Sequence, residues 1–378
     1  MSIRPCRRSR HHAPYRGART VRLAAVTLLM AAAAPLLAVT PATGPRLLPV
    51  RQAIPCADFA GELVDLAWFG GRIHLLDARE LVVWSLDREG GDRQVVEVPG
   101  LRPECLFFGC GGRLHVVDPW ARTVSIRQAP GRWARVPTGH RVFRGDGDAD
   151  GLILTGPRAG IRPLAQLVSC GGDTLAFGQG YRIAHRHHSL TRNANYTHVA
   201  VGDTMAVVAH RALGHLRVHR RDGRHVGDFH LSGEAPVRLR RWYLPNAGRT
   251  PGQTVSAAPE TLLADLAAAA TPGEFPIPIY VNDLAIHDGL IHVLVSGVLQ
   301  VYTPAGELLQ SFEPPAVYQR RRVSIHEIAF TDAGELLGLD ARHYAVVYRF
   351  GPLPSPTAPG VADSASGRGG IHPSEGSH

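Results

Sequence analysis

LAWFGGRIHLLD (66–77) decides the fold, because the chain repeats it. LFFGCGGRLHVVD (106–118), LVSCGGDTLAFG (167–178), VAVGDTMAVVA (199–209), LAIHDGLIHVLV (284–295) and IAFTDAGELLGLD (328–340) share its outline. Each is a short apolar strand, a turn rich in Gly or Asp, and a second apolar strand, which is the pattern of a β-hairpin. Third and fourth apolar segments follow most copies, as in LVVWSLD (81–87) and RQVVEV (93–98). Four short antiparallel strands per unit, repeated along one chain, predict the blades of a β-propeller. Gly71 to Gly112 is 41 residues and Gly289 to Gly334 is 45, which fits one blade each. The intervals of 60, 30 and 87 elsewhere call for two insertions, 137–165 and 232–280, and one abbreviated blade.

The expected architecture is therefore all-β: a six-bladed β-propeller over 46–350, with seven blades as the competing count. The last unit stops after its third strand, YAVVYRF (344–350), so RLLPVRQ (46–52) is the natural supplier of the missing strand and closes the ring. Residues 137–165 read as a hairpin, RVFRG and LILTG around an acidic turn. The second insertion holds VRLRRWYLP and APETLLADLAAAA (258–270), a short helix ending before Thr271-Pro272-Gly273. The tail 351–378, rich in Pro, Gly and Ser, reads as disordered.

The net charge of +9 does not describe the folded body. All 41 basic residues are Arg, and seven of them (Arg4, Arg7, Arg8, Arg10, Arg16, Arg19 and Arg22) fall in the first 45 residues, which hold no acid. The remainder stands near neutrality, which excludes a nucleic-acid partner argued from charge. The Arg-rich start precedes LAAVTLLMAAAAPLLAV (23–39) and small residues, so 1–42 reads as a signal peptide or a membrane anchor. The expected protein is exported, periplasmic or extracellular, monomeric, and tied to a membrane only through that segment. Four cysteines remain beyond it, and an even count in an exported chain permits disulfides. Cys110 and Cys170 both precede Gly-Gly and are the candidate pair.

DGLIHVLVSGVLQVYTPAGELLQSF (288–312) resembles an NHL-type repeat, and GGRIHLLD and GGRLHVVD resemble blades of the gluconolactonase-like six-bladed propellers. The resemblance covers about 55–350 and is one of fold. It implies a metal-assisted, lactonase-like hydrolase or a lyase as one reading of the channel mouth, and Asn282-Asp283 echoes the segment that carries a metal ligand in that family. GELVDLAW stands where the family's first blade opens with Glu-Gly-Pro.

Residues equivalent by repeat at the start of each inner strand should form a ring: Asp65, Cys105, Gln166, His198, Asp283 and Glu327, with Glu104, Asn282 and His326 preceding three of them. Such a ring would bind a ligand, and its oxygens suit Ca²⁺ if a cation is held. GDGDADG (145–151) matches the first half of a calcium loop through Asp146, Asp148 and Asp150, but Pro157 stands where the bidentate Glu belongs. His74, His115 and His292 recur at one strand position and read as packing residues. Arg238, Arg240 and Arg241 beside Trp242 and Tyr243, and Arg320, Arg321 and Arg322, suit an anion. No Ser-nucleophile elbow, phosphate loop, Cys-x-x-Cys pair or dinucleotide fingerprint occurs. The leading expectation is a binding protein for a small anionic ligand, a glycan or a protein, with the metal-assisted enzyme and a structural envelope module as alternatives.

Overall fold

The computed structural model describes residues 44–156, 163–181, 194–243, 279–341 and 345–354. Six antiparallel blades surround a central channel. Their inner strands are Leu63–Phe69, Cys105–Gly109, Arg144–Gly147, Thr197–Val201, Asp283–His287 and Glu327–Phe330. Each neighbours the next around the ring, and the sixth returns to the first. The expected segment 1–42, the helix at 258–270 and the tail beyond 354 lie outside the described residues. Among the described residues, no helix is long and apolar enough to cross a membrane.

Strand alternation explains why six sheets make one body. Successive side chains point to opposite faces of a sheet, so in RIHLLD Leu75 packs toward blade 6 while Leu76 packs toward blade 2. Every blade is thus apolar on both faces, and six core clusters lie one between each pair of neighbouring blades. This is why segments such as MAVVAH (205–210) are buried at every position.

The ring closes through the N-terminal strand Val50–Pro55, which pairs with Val346–Pro352 as the outermost strand of blade 6. The closing strand lies slightly later than 46–52, because Arg46–Leu47 instead runs parallel to Leu308–Glu313 on blade 5. Blade 3 needs a larger correction. Segment 137–165 is no insertion: Arg144–Gly147 and Gly151–Thr155 are the inner hairpin of that blade, and LVSCGGDTLAFG forms its third and fourth strands. The blade is complete, and its innermost strand had been disguised by small residues. They are small for a reason. A Cβ on Gly145 would meet Phe107 at 2.5 Å, and one on Gly147 would meet the Gly151 carbonyl oxygen at 3.0 Å. The second insertion begins with a helix, α1 (Glu234–Tyr243), that the sequence reading had not assigned.

The Asp that ends GGRIHLLD and GGRLHVVD is a loop cap. Asp77 accepts backbone N–H groups from Glu62, Arg79 and Glu80 at 3.0–3.1 Å, and also from Gly61. Asp118 does the same for Leu101, Arg102, Trp120 and Ala121. Burial opposes ionisation of Asp77, but the four N–H donors outweigh it and hold the carboxyl below its ordinary value. Cys110 and Cys170 are disulfide-bonded, with Cα atoms 5.2 Å apart. Cys110 N–H donates to the Asp148 carbonyl at 2.7 Å and Cys170 N–H to that of Asp150 at 3.3 Å, so the bridge cinches the acidic turn of blade 3.

Two outcomes test these supports. Asp77→Ala strands four backbone donors and should cost about 2–3 kcal/mol in urea unfolding, with Asp77→Asn costing less. The Cys110→Ser/Cys170→Ser double variant opens a 60-residue separation. It should lose about 4 kcal/mol on a chain-entropy account, read as a lower melting temperature matched by reduced wild type.

Candidate functional site

The starts of the inner strands converge on one end of the channel. Asp65, Arg144, His198 and Asp283 line it, and Glu327 is bound to Arg144. Above them a cavity of about 570 Å³ runs along the inner strands to the hairpin turns, where Phe69, Gly111, Ala149 and Asp332 are exposed. The charged groups are the floor: side-chain exposure is 8% for Asp65 and Glu327, 15% for Arg144, 16% for Asp283 and 2% for His198. The walls mix polar and apolar surface in about equal parts. Trp68, Phe69, Phe107, Phe108 and Phe330 contribute, with Phe69 stacked on Phe108 at 4.3 Å and His287 on Phe330 at 4.5 Å.

Three carboxylates hold neighbouring blades together. Asp65 accepts the N–H of Leu106, Asp146 that of Val201, and Asp283 that of Ile328, each at 2.7 Å. These bonds join blades 1 to 2, 3 to 4 and 5 to 6. Between blades 2 and 3 the thiol of Cys105 serves instead, donating to the Gly145 carbonyl at 3.3 Å and accepting the Gly145 N–H at 3.4 Å.

Arg144 is the residue that the sequence reading missed, because Gln166 had been given its place. Gln166 lies on the third strand of blade 3, opposite Leu154 and Ala176. The signal was spacing: Arg144 follows Cys105 by 39 residues, as Cys105 follows Asp65 by 40. Its guanidinium donates to Glu327 Oε1 at 3.0 Å and stands 3.9 Å from Asp65 Oδ1. Burial pushes the carboxyls of Asp65 and Glu327 upward while Arg144 pulls them back. Asp283 is raised to about 7 and Asp146 to about 6, both mainly by burial. His198 lies well below the ordinary imidazole value because it is buried and faces the positive field of Arg144 and Arg211. It is neutral, its Nδ1 3.8 Å from Asp283 Oδ1 and its Nε2 without a partner.

The other expected ring members stand outside the cavity lining. Glu104 accepts a hydrogen bond from the Trp120 indole at 3.2 Å, Asn282 caps the Ser296 N–H at 2.8 Å, and His326 faces Asp340 at 3.9 Å. The calcium-loop carboxylates diverge: Asp146 reaches blade 4, Asp148 pairs with Arg221, and Asp150 is exposed. Among the described residues, no three His, Cys, Asp or Glu side chains come together to hold a metal ion. A guanidinium stands among the floor carboxylates. Arg238 pairs with Glu313 at 3.4 Å on α1, while Arg320, Arg321 and Arg322 are exposed on the hairpin that pairs Val317–Tyr318 with Arg321–Arg322. Neither they nor Arg240 line the cavity, and the side chain of Arg241 lies outside the described residues. His74, His115 and His292 pack against Phe108, Phe107 and Phe330. Burial lowers His74 and His292 to about 4.

No family model matches the sequence, and no curated protein matches it either. Solved structures do resemble it. A streptogramin B lyase aligns with TM-score 0.50 and 10% identity over 79% of this chain and 96% of its own. A luciferin-regenerating enzyme aligns with TM-score 0.50 and 12% identity over 80% and 95%. A gluconolactonase from Xanthomonas campestris aligns with TM-score 0.49 and 12% identity over 80% and 89%. These likenesses are of fold alone, that of a β-propeller.

The floor depends on its one guanidinium. Arg144→Met leaves Glu327 and Asp65 without a counter-cation, which should cost about 3–5 kcal/mol at pH 8. Both carboxyls are raised, so the variant regains stability as pH falls and they protonate. The melting-temperature gap to wild type should narrow from pH 8 to pH 5, with Arg144→Lys intermediate.

Proposed function

We propose that the protein is an exported receptor that holds a small organic molecule in its central cavity, against the floor of Asp65, Arg144, His198 and Asp283. One observation carries this reading: a cavity of about 570 Å³ on whose lining Asp65, Arg144, His198 and Asp283 from four different blades converge. Ligand sites are typically concave and mostly apolar, with a few convergent polar groups and perturbed titrations. The cavity shares the convergent polar groups and perturbed titrations, and aromatic residues are among its lining, though polar and apolar surface contribute about equally. The anionic ligand expected from the sequence rested on the Arg clusters, whose described side chains are not among the cavity lining. Export is supported by the apolar run at 23–39 behind its arginines and by the Cys110–Cys170 bridge, which an oxidising compartment maintains.

The test is retention. Full-length protein is equilibrated with a small-molecule extract, washed by ultrafiltration and denatured, and released compounds are identified by mass spectrometry. A compound retained near one equivalent by wild type and lost in both His198→Ala and Asp283→Ala supports the cavity. Retention of nothing, or equal retention by both variants, refutes it.

A further inference from the structure

The charge of the floor points to the class of molecule it takes. Four carboxylates, Asp65, Asp146, Asp283 and Glu327, gather at the inner strands. One guanidinium answers them, and Asp65 and Glu327 are its close partners. Asp146 is stabilised by the N–H groups of Val201 and Gly147. Asp283 takes the N–H groups of Ile328 and Leu284 and lies in the field of Arg144. Its Oδ1 faces neutral His198, and its side chain, on the cavity lining, is twice as exposed as that of Asp65 or Glu327. Among the described residues, the carboxylates of the floor outnumber the one guanidinium paired with them, and Asp283 is a lining carboxylate with no cation in direct contact. Toward the turns, Phe69, Phe108, His287 and Phe330 are among the lining residues and offer apolar contact to the body of a ligand.

We infer that the cavity takes a small organic amine, its ammonium set against Asp283 and its apolar body against the aromatic walls. The inference rests on the cavity reading above and adds the sign of the ligand's charge. It also fixes a pH dependence. Asp283 titrates near 7 under burial, facing Arg144 of blade 3, Asp65 of blade 1, His198 of blade 4 and Glu327 of blade 6. An ammonium binds the ionised carboxylate and displaces its proton, so affinity rises with pH through that value and then levels.

The experiment uses three matched probes: 2-phenylethylamine, 2-phenylethanol and 3-phenylpropionate, titrated calorimetrically into the full chain at pH 6 and pH 8. The amine should bind at least tenfold more tightly than the alcohol at pH 8 and about tenfold more weakly at pH 6 than at pH 8. At pH 6.5 it should release protons, seen as a heat that changes with the buffer's ionisation enthalpy. Asp283→Asn keeps an oxygen for the Ile328 N–H, so it should fold yet bind amine and alcohol alike. An alcohol or carboxylate that binds as well as the amine overturns the inference, as does an amine preference that survives in Asp283→Asn. If no probe binds, the retained extract compound decides: an amine sustains the inference, a neutral or anionic compound overturns it alone, and no compound overturns the cavity reading with it.

Discussion

The hydrogen bonds that Asp65, Asp146 and Asp283 accept from the next blade are the constraint on which the rest depends. Propeller blades meet mainly through side chains, so the innermost strands present edge N–H groups to the channel with no strand to receive them. A buried N–H needs an acceptor, and a carboxylate one blade away is within reach. Each such bond at 2.7 Å therefore removes an unsatisfied donor and fixes two blades in register at the axis. The cost is charge in a poorly hydrated channel, seen in the upward displacement of all three carboxyls. Closure of the ring and the polarity of its floor are one and the same feature.

Arg144 follows from that cost. Removing several carboxylates from water is unfavourable unless they are paired or protonated, and the chain supplies one permanent cation from blade 3. It can do so because the rest of that inner strand is RGDG. With glycines facing Phe107 and the Phe108 carbonyl, the strand lies close against blade 2, and the guanidinium arrives beside Asp65 and Glu327. Larger residues at Gly145 or Gly147 would displace the strand and its arginine together.

The architecture was legible because blade packing writes itself into the sequence. Alternating sides that are both buried produce LHVVD and MAVVAH, and the caps require Asp at the end of the second strand, as in Asp77 and Asp118. The strand that closes the ring was also legible, as the complement of a blade one strand short. Blade 3 was not read correctly because its inner strand is held by close backbone approach rather than by apolar side chains, and CGG in its third-to-fourth turn imitated an inner turn. That one slip hid Arg144 and put Gln166 in its place. Asp65, His198, Asp283 and Glu327 were found by equivalence of position, whereas Glu104, Asn282 and His326, one residue earlier, point to local caps and partners. Strand alternation separates the two sets, a distinction that repeat alignment alone does not supply.

Histidine is abundant, and burial keeps several of the described imidazoles neutral. His210 is lowered to about 3 and His215 to about 4 within a stack of rings in blade 4, where His215 meets Tyr181 and Asp228. These imidazoles act as flat, neutral packing groups with one or two hydrogen bonds. His198 shares their neutrality but not their surroundings, since it lies on the channel floor beside a carboxylate. Protonating it would add a second buried cation next to Arg144, which the positive field there opposes. Arg144 is thus the cation on which the ionisation of Asp65 and Glu327 depends, and a floor carboxyl not in contact with it, such as Asp283, is held upward by burial.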